Sequence, residues 1–356
     1  MKLPGLKFKN VNLGNCIVQG GMGVGVSLAT LAGAVAGEGG LGIISSAGLD
    51  EIVSKRDGKN VGTYEAVRIE IEKAKSLSGG RGAIGINAMV AIVRDYEDTI
   101  RAAIDAGADA IISGGGLPLG LSGIKNPGHT ALIPIVSSAR ALELIIKRWE
   151  RDGYRPDAVV LEGPLAGGHL GFKYEEINNP ASELENLLSE VLEVAHKYGG
   201  IPVVAAGGVF THEDIEKFLS MGARGVQIGT RFLATKESSA TDAYKQAVIS
   251  ATEDDILVVS FPDRNPASPC GLPLRILTSS PACTAERMPC CSRGFLLRNG
   301  VCKAKDDNRY LCVCSALMSS AGYAPEEPPL YTVGQNAYRV DKIVPVEELM
   351  KELLGE

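Results

Sequence analysis

Short apolar runs recur along the first two thirds of the chain, separated by longer stretches whose apolar residues fall three or four apart. The runs are Cys16-Gln19, Leu41-Ser45, Ala83-Asn87, Asp109-Ser113, Ile133-Ser137, Ala158-Glu162, Ile201-Ala205 and Gly225-Ile228. Runs of Val, Ile and Ala without alternation suit strands buried on both faces of a parallel sheet, which need crossover helices. Helical patterns supply them at Leu28-Ala36, Tyr64-Leu77, Tyr96-Ala106, Ser138-Arg151, Ser182-Tyr198, Thr211-Met221 and Ser238-Ala251. The Thr211-His212-Glu213-Asp214 start has the form of a capping box. Eight such strands with seven helical patterns among them in about 250 residues predict an α/β fold of the TIM (β/α)8 barrel type. A doubly wound open sheet rarely alternates so regularly over eight strands. The barrel is expected over residues 1–261. Residues 262–330 are rich in proline, cysteine and basic side chains and read as a Cys-rich insertion or lid subdomain. Residues 331–356 bring a terminal helix, Val346-Leu354, back to the barrel.

Charge narrows the partners. The formal net charge of −6 gives no pull toward nucleic acid or an anionic membrane. The stretch from Cys16 to Gly37 is uncharged and long enough to span a bilayer. It carries six glycines, and Ser27 reads as a helix N-cap, so strand, loop and helix is the better description. The N-terminus lacks the apolar core of a secretory signal, and a cytoplasmic protein without a membrane partner is expected.

The glycines gather after the apolar runs, where α/β folds place their chemistry. The first loop, Gln19-Gly20-Gly21-Met22-Gly23-Val24-Gly25, departs from GxGxxG spacing, and a plain tight turn explains it equally well. Ala205-Ala206-Gly207-Gly208-Val209 and Gln227-Ile228-Gly229-Thr230-Arg231 end the seventh and eighth strands. These loops are neighbours in a barrel and commonly bind phosphate through backbone N–H groups. After the sixth run comes Glu162-Gly163-Pro164-Leu165-Ala166-Gly167-Gly168-His169-Leu170-Gly171. A histidine on a glycine turn behind a buried strand is more readily explained by a ligand than by packing. The other histidines have blander settings: His212 in a helix cap, His196 on an amphipathic helix and His129 in a polar loop.

Taken together, these pieces resemble the nitronate monooxygenase and flavin-dependent enoyl-reductase family, FMN-binding TIM barrels. The resemblance rests on Gln19-Gly20-Gly21-Met22, Leu31-Ala32-Gly33-Ala34-Val35 with Gly39-Gly40-Leu41-Gly42, Gly85-Ile86-Asn87, Glu162 through Gly171, Ile201 through Val209, and Gly222 through Phe232. It implies FMN as cofactor. Gly20, Gly21 and Met22 would lie near the flavin ring, with Asn87 and Glu162 on its polar or ribityl atoms. Gly167 and Gly168 would line the flavin, and Gly207, Gly208, Gln227, Gly229 and Thr230 would hold its phosphate end. His169 matches the family's active-site histidine. The monooxygenases usually carry proline where this chain has Gly21 and glutamine where it has Glu162, so both residues lean toward the reductase branch. Both branches commonly show an acid where Leu165 stands.

The expected activity is therefore FMN-dependent oxidation of a carbanion-type substrate, with dioxygen reoxidising the flavin. The alternative is an enoyl-thioester reductase that takes hydride from NAD(P)H. A non-catalytic electron-relay protein is the reading from another class. The substrate is a small molecule or an acyl thioester, and a homodimer is open. Cysteines cluster between Cys270 and Cys314. Cys290, Cys291, Cys302, Cys312 and Cys314 are candidates for a metal ion or iron–sulfur cluster, although they lack paired C-x-x-C spacing. Behaviour as small apolar residues is the simplest reading, and disulfides suit a reducing compartment poorly. Arg293, Arg298, Lys303, Lys305 and Arg309 lie among them, either as a solvated face or to meet a phosphorylated donor or carrier such as NADPH, coenzyme A or acyl carrier protein.

Overall fold

A computed structural model describes residues 3–260, 272–285 and 312–356. A short hairpin, β1 (Lys7–Phe8) and β2 (Val11–Asn12), leads the chain. Then come β3 (Ile17–Gln19), α1 (Ala29–Gly37), β4 (Leu41–Ser45), α2 (Leu49–Asp57), α3 (Thr63–Ser78), β5 (Ala83–Met89), α4 (Tyr96–Asp105) and β6 (Ala110–Gly114). They are followed by β7 (Ala131–Val136), α5 (Ala139–Trp149), β8 (Val159–Glu162), β9 (Gly168–His169), α6 (Leu184–Lys197), β10 (Val203–Ala206), α7 (His212–Ser220) and β11 (Gly225–Ile228). The short α8 (Thr230–Leu233), then α9 (Asp242–Ile249), β12 (Ile256–Val259), β13 (Leu274–Leu277), α10 (Val313–Ser320) and α11 (Val346–Leu354) complete the order.

Strands β3, β4, β5, β6, β7, β8, β10 and β11 close a parallel barrel in that order, with β11 returning to β3 through Val226 opposite Ile17. This is the TIM barrel expected from the alternation. Side chains alternate between two cores. Val18, Leu41, Ile43, Ile112, Ile133, Val160 and Val204 fill the interior. Leu6, Phe8, Val11 and Leu13, in and beside the β1–β2 hairpin, join that interior cluster. The residues between them, such as Ile44, Ile86, Ile111, Leu161 and Val203, face the helical layer. Gly42 lets α1 lie directly on β4, because a Cβ there would overlap the backbone of Ala32. Acidic side chains at strand starts pin the neighbouring strands: Asp109 accepts from Ile84 N and Asp157 from Leu132 N, both at 2.8 Å.

Helix boundaries follow their caps. Thr211 Oγ1 accepts from Asp214 N and the Asp214 carboxylate from Thr211 N, the expected capping box. The last helix of the barrel is shorter than its pattern. Ala240 N is spent on Ser238 Oγ, and Thr241 caps α9 by accepting from Tyr244 N. The hairpin, α2 and α8 were not anticipated, nor were β13 and α10 in the stretch where periodicity was lost. A second sheet, β12–β13–β9, lies outside the barrel, and its third strand carries His169. Among the described residues no helix is long and apolar enough to cross a membrane.

Candidate active site

A cavity of about 670 Å³ opens at the carboxyl ends of the barrel strands. Every residue singled out as lining a flavin reaches it: Gly20, Gly21 and Met22 after β3, Asn87 on β5, and Glu162, Gly167, Gly168 and His169 after β8. Gly207 and Gly208 reach it after β10, and Gln227, Gly229 and Thr230 at the end of β11. Eight strands with one parallel register bring loops far apart in sequence onto one rim.

The first loop is held from within. Ser27 Oγ accepts from Met22 N at 3.0 Å and from Gln19 Nε2 at 2.9 Å, and contacts Gly20 O at 3.3 Å. Ser27 is thus a loop staple and not the expected N-cap, a position taken by Leu28. Gln19 also accepts from Ile43 N at 2.9 Å, tying the loop to the next strand. Gly21 packs flat on Asn87: a Cβ at Gly21 would overlap Asn87 Cβ and stand 2.9 Å from Ile43 Cγ2.

Beside the first loop, the loops after β10 and β11 meet the chain that follows the barrel. Gly207 and Gly208 have φ of +93° and +96°, conformations that glycine adopts without strain. Asn336 Nδ2 donates to Gly208 O at 2.6 Å, and Gly334 N donates to Thr230 Oγ1 at 2.9 Å. Gln227 Oε1 is buried and has no partner among the described residues, an acceptor left over in the cavity wall. The N-terminus of α8 lies beside Gly229, the place where a short extra helix often completes a phosphate site.

The sixth loop is gripped on two sides. Gln335 N donates to Leu165 O at 3.0 Å, and a Cβ at Gly167 would come within 2.6 Å of Gly334 N. From the other side β13 pairs with β9, setting Leu274 opposite His169 and Arg275 opposite Gly168. Gly168 has φ +70°, and open space lies where its side chain would be. Burial pushes the Glu162 carboxyl up to about 7, against the pull of His169, the Gly171 N–H and Arg275. Burial lowers the Arg275 guanidinium to about 10, with Glu162 opposing, so it stays charged near neutrality. A carboxyl that titrates near neutrality beside an imidazole can hold or release a proton under ordinary conditions.

The wall also takes in residues with no signature in the sequence: Tyr244, Leu117, Leu272, Val313, Leu317, Thr332, Val333, Gly334 and Asn336. Leu117 and Leu165 stand exposed at the mouth. The cysteine candidates divide. Cys314 lines the cavity, and Cys312 is buried with its Sγ 3.3 Å from Ser315 Oγ. Cys290, Cys291 and Cys302 lie outside the described residues. Among the described residues, no three His, Cys, Asp or Glu side chains form a group that could hold a metal ion.

A closed parallel barrel with a glycine-lined cavity at its carboxyl face, into which Glu162 and His169 of the sixth loop reach, defines a TIM-barrel protein with a ligand site at the ends of its strands. The family model for nitronate monooxygenase matches residues 80–356, more than three quarters of the chain. The chain belongs to the nitronate monooxygenase family, whose members depend on flavin. An octahydroindene-carboxyl-CoA dehydrogenase of Mycobacterium tuberculosis is 31% identical over 262 residues, covering 73% of this chain and 62% of that protein. A probable nitronate monooxygenase of Bacillus subtilis is 35% identical over 126 residues, covering 35% of this chain and 34% of that protein. The chain thus spans less than two thirds of the length of these relatives. FabK from Thermotoga maritima shares the fold with a TM-score of 0.70 at 24% identity, covering 96% of this chain and 92% of that one. A nitroalkane oxidase from Streptomyces ansochromogenes does so with 0.66 at 22% identity, covering 97% and 96%.

Proposed function

We propose that the protein is an FMN-dependent oxidoreductase acting on a carbanion-type substrate such as a nitronate. The observation that carries this reading is the convergence of Gly168, the Gly207–Gly208 turn, the unpartnered Gln227 Oε1 and the Glu162–His169 pair on one cavity. These residues fit a flavin. Gly168 leaves open space for a planar ring, and Gln227 Oε1 offers an acceptor to a ring or ribityl donor. Gly207, Gly208, Gly229 and Thr230 would take the phosphate end through backbone N–H groups and a hydroxyl. When bound, FMN would supply a two-electron acceptor that dioxygen or another oxidant restores.

The protein's own work is proton handling and placement. The His169 imidazole orients the substrate's anionic group or accepts a proton from its acidic carbon. Glu162, titrating near neutrality, takes up or gives back that proton. The exposed Leu117 and Leu165 and the apolar wall of Leu272 and Leu317 keep water from the reacting centre.

The reductase reading keeps a claim through Gly21. As packed on Asn87, the first loop has no room for the proline of the monooxygenase pattern. The carboxyl-CoA dehydrogenase relative also points to thioester chemistry. Anaerobic titration of the flavin-loaded protein separates the two. Bleaching by a nitronate, but not by NADH or NADPH, is expected. Rapid bleaching by NADH or NADPH assigns the reductase reading instead, and protein that takes up no FMN removes both.

A further inference from the structure

We propose that Arg275 is a positioning residue of this site, gripping the sixth loop by two carbonyls and setting a positive charge behind Glu162. The inference rests on the reading of Glu162 and His169 as the groups that meet substrate.

Arg275 lies beyond the barrel, in β13, and is 2% exposed. Its Nη1 donates to Pro164 O at 2.6 Å and also to Ala166 O, so one guanidinium nitrogen bridges two carbonyls of the loop. The strand pairing fixes the same loop one step further on, with Arg275 opposite Gly168, Leu274 opposite His169, and Leu170 N donating to Pro273 O at 2.9 Å. The segment from Pro164 to Leu170 therefore has its backbone held by three consecutive residues, Pro273, Leu274 and Arg275. Arg275 does not line the cavity, so it acts through the loop and not on a ligand.

The choice of residue is informative. A guanidinium here is nearly out of water, and its Nε has no partner among the described residues. Such a group is costly to bury, and a neutral side chain of similar volume could fill the space with less penalty. What a neutral side chain could not do is oppose the charge of Glu162. Three groups favour the ionised Glu162: His169 from β9, the Gly171 N–H, and Arg275 from β13. Arg275 stays charged at neutral pH. With His169 and the Gly171 N–H, it opposes the burial that pushes the Glu162 carboxyl up.

The test uses full-length, flavin-free protein, so its outcome does not depend on cofactor uptake or turnover. The Glu162 carboxyl stretch is followed by infrared titration and assigned by its loss in Glu162→Gln. In the wild type the midpoint should fall at about 7. In Arg275→Met it should rise by on the order of one pH unit or more, a tenfold tighter proton. Arg275→Lys should keep the midpoint near the wild-type value while amide exchange at Gly167 through Leu170 quickens, because an ammonium cannot reproduce the grip on both carbonyls. An unchanged midpoint in Arg275→Met overturns the proposal and leaves Arg275 a packing residue. Should Arg275→Met fail to fold, the Arg275→Met/Glu162→Gln pair decides. Recovery of folded protein supports a charge pair, and failure to recover overturns it. A protein that titrates as described yet binds no FMN would sink the flavin reading while sparing this one.

Discussion

Replacing Glu162 by glutamine should change how stability depends on pH, and the direction follows from the site. The folded carboxyl titrates at about 7, whereas its ordinary value is 4.5. Below pH 4.5 the group is protonated in both folded and unfolded chains, and its contribution is fully present. Between 4.5 and about 7 the unfolded chain releases the proton and the folded chain keeps it, so rising pH erodes stability. Above about 7 both are ionised and the contribution has gone. The gap of about 2.5 pH units, at about 1.4 kcal/mol each, gives an upper figure of about 3.5 kcal/mol. Glu162 is only half-buried against the cavity, and solvent there screens it, so about 1–2 kcal/mol is the working expectation. Glu162→Gln preserves shape and one acceptor while removing the titration. Flavin-free wild type and Glu162→Gln should therefore differ in thermal midpoint by a few degrees more near pH 8 than near pH 5, with the variant gaining at the higher pH. A difference that stays flat between the two pH values refutes the argument that burial governs this carboxyl.

Three further substitutions probe the walls. Gly21→Ala forces a Cβ into Asn87 and Ile43 and should cost about 1–3 kcal/mol in urea unfolding, with Asn87→Gly relieving part of it. Thr230→Val strands the Gly334 N–H and should weaken FMN binding about tenfold by fluorescence quenching, while riboflavin, which lacks the phosphate, loses much less. His169→Gln should leave the flavin dissociation constant near that of wild type. It should slow anaerobic flavin reduction by the true substrate by roughly 10²–10⁴-fold in stopped flow, and an unaffected rate removes His169 from the chemistry.

The barrel was legible because its signal is periodic. Eight buried strands must each be apolar, and crossover helices must show one apolar stripe, so composition along the chain records the topology. Boundaries shifted where a side chain intervened, as at Thr241, whose hydroxyl caps α9 several residues after the pattern begins. The glycines of the site were legible as a set, yet their reasons differ. Gly168 faces open space, as a flavin would require, whereas Gly167 is needed by its approach to Val333 and Gly334. Gly207 is needed by its approach to Gly163. Sequence shows a glycine in each case and does not show what stands against it.

The grip on the sixth loop left no local trace. Arg275 sits in a stretch dense with proline and cysteine, and a four-residue strand there carries no period long enough to register. Its partners are the carbonyls of Pro164 and Ala166, more than a hundred positions away, and a backbone acceptor has no sequence signature at all. The loop itself does carry a signature, because Glu162 and His169 are chemically unusual beside buried strands. That asymmetry has a physical basis. Groups that meet a ligand must be of particular residue types, while groups that hold the loop need only the right donors at the right place. For this chain the holding groups, Arg275 on one side and Gly334–Gln335 on the other, come from beyond the barrel. The chain after β11 is thus part of the sixth loop's structure, and removing it should cost that loop its geometry before it costs the barrel its fold.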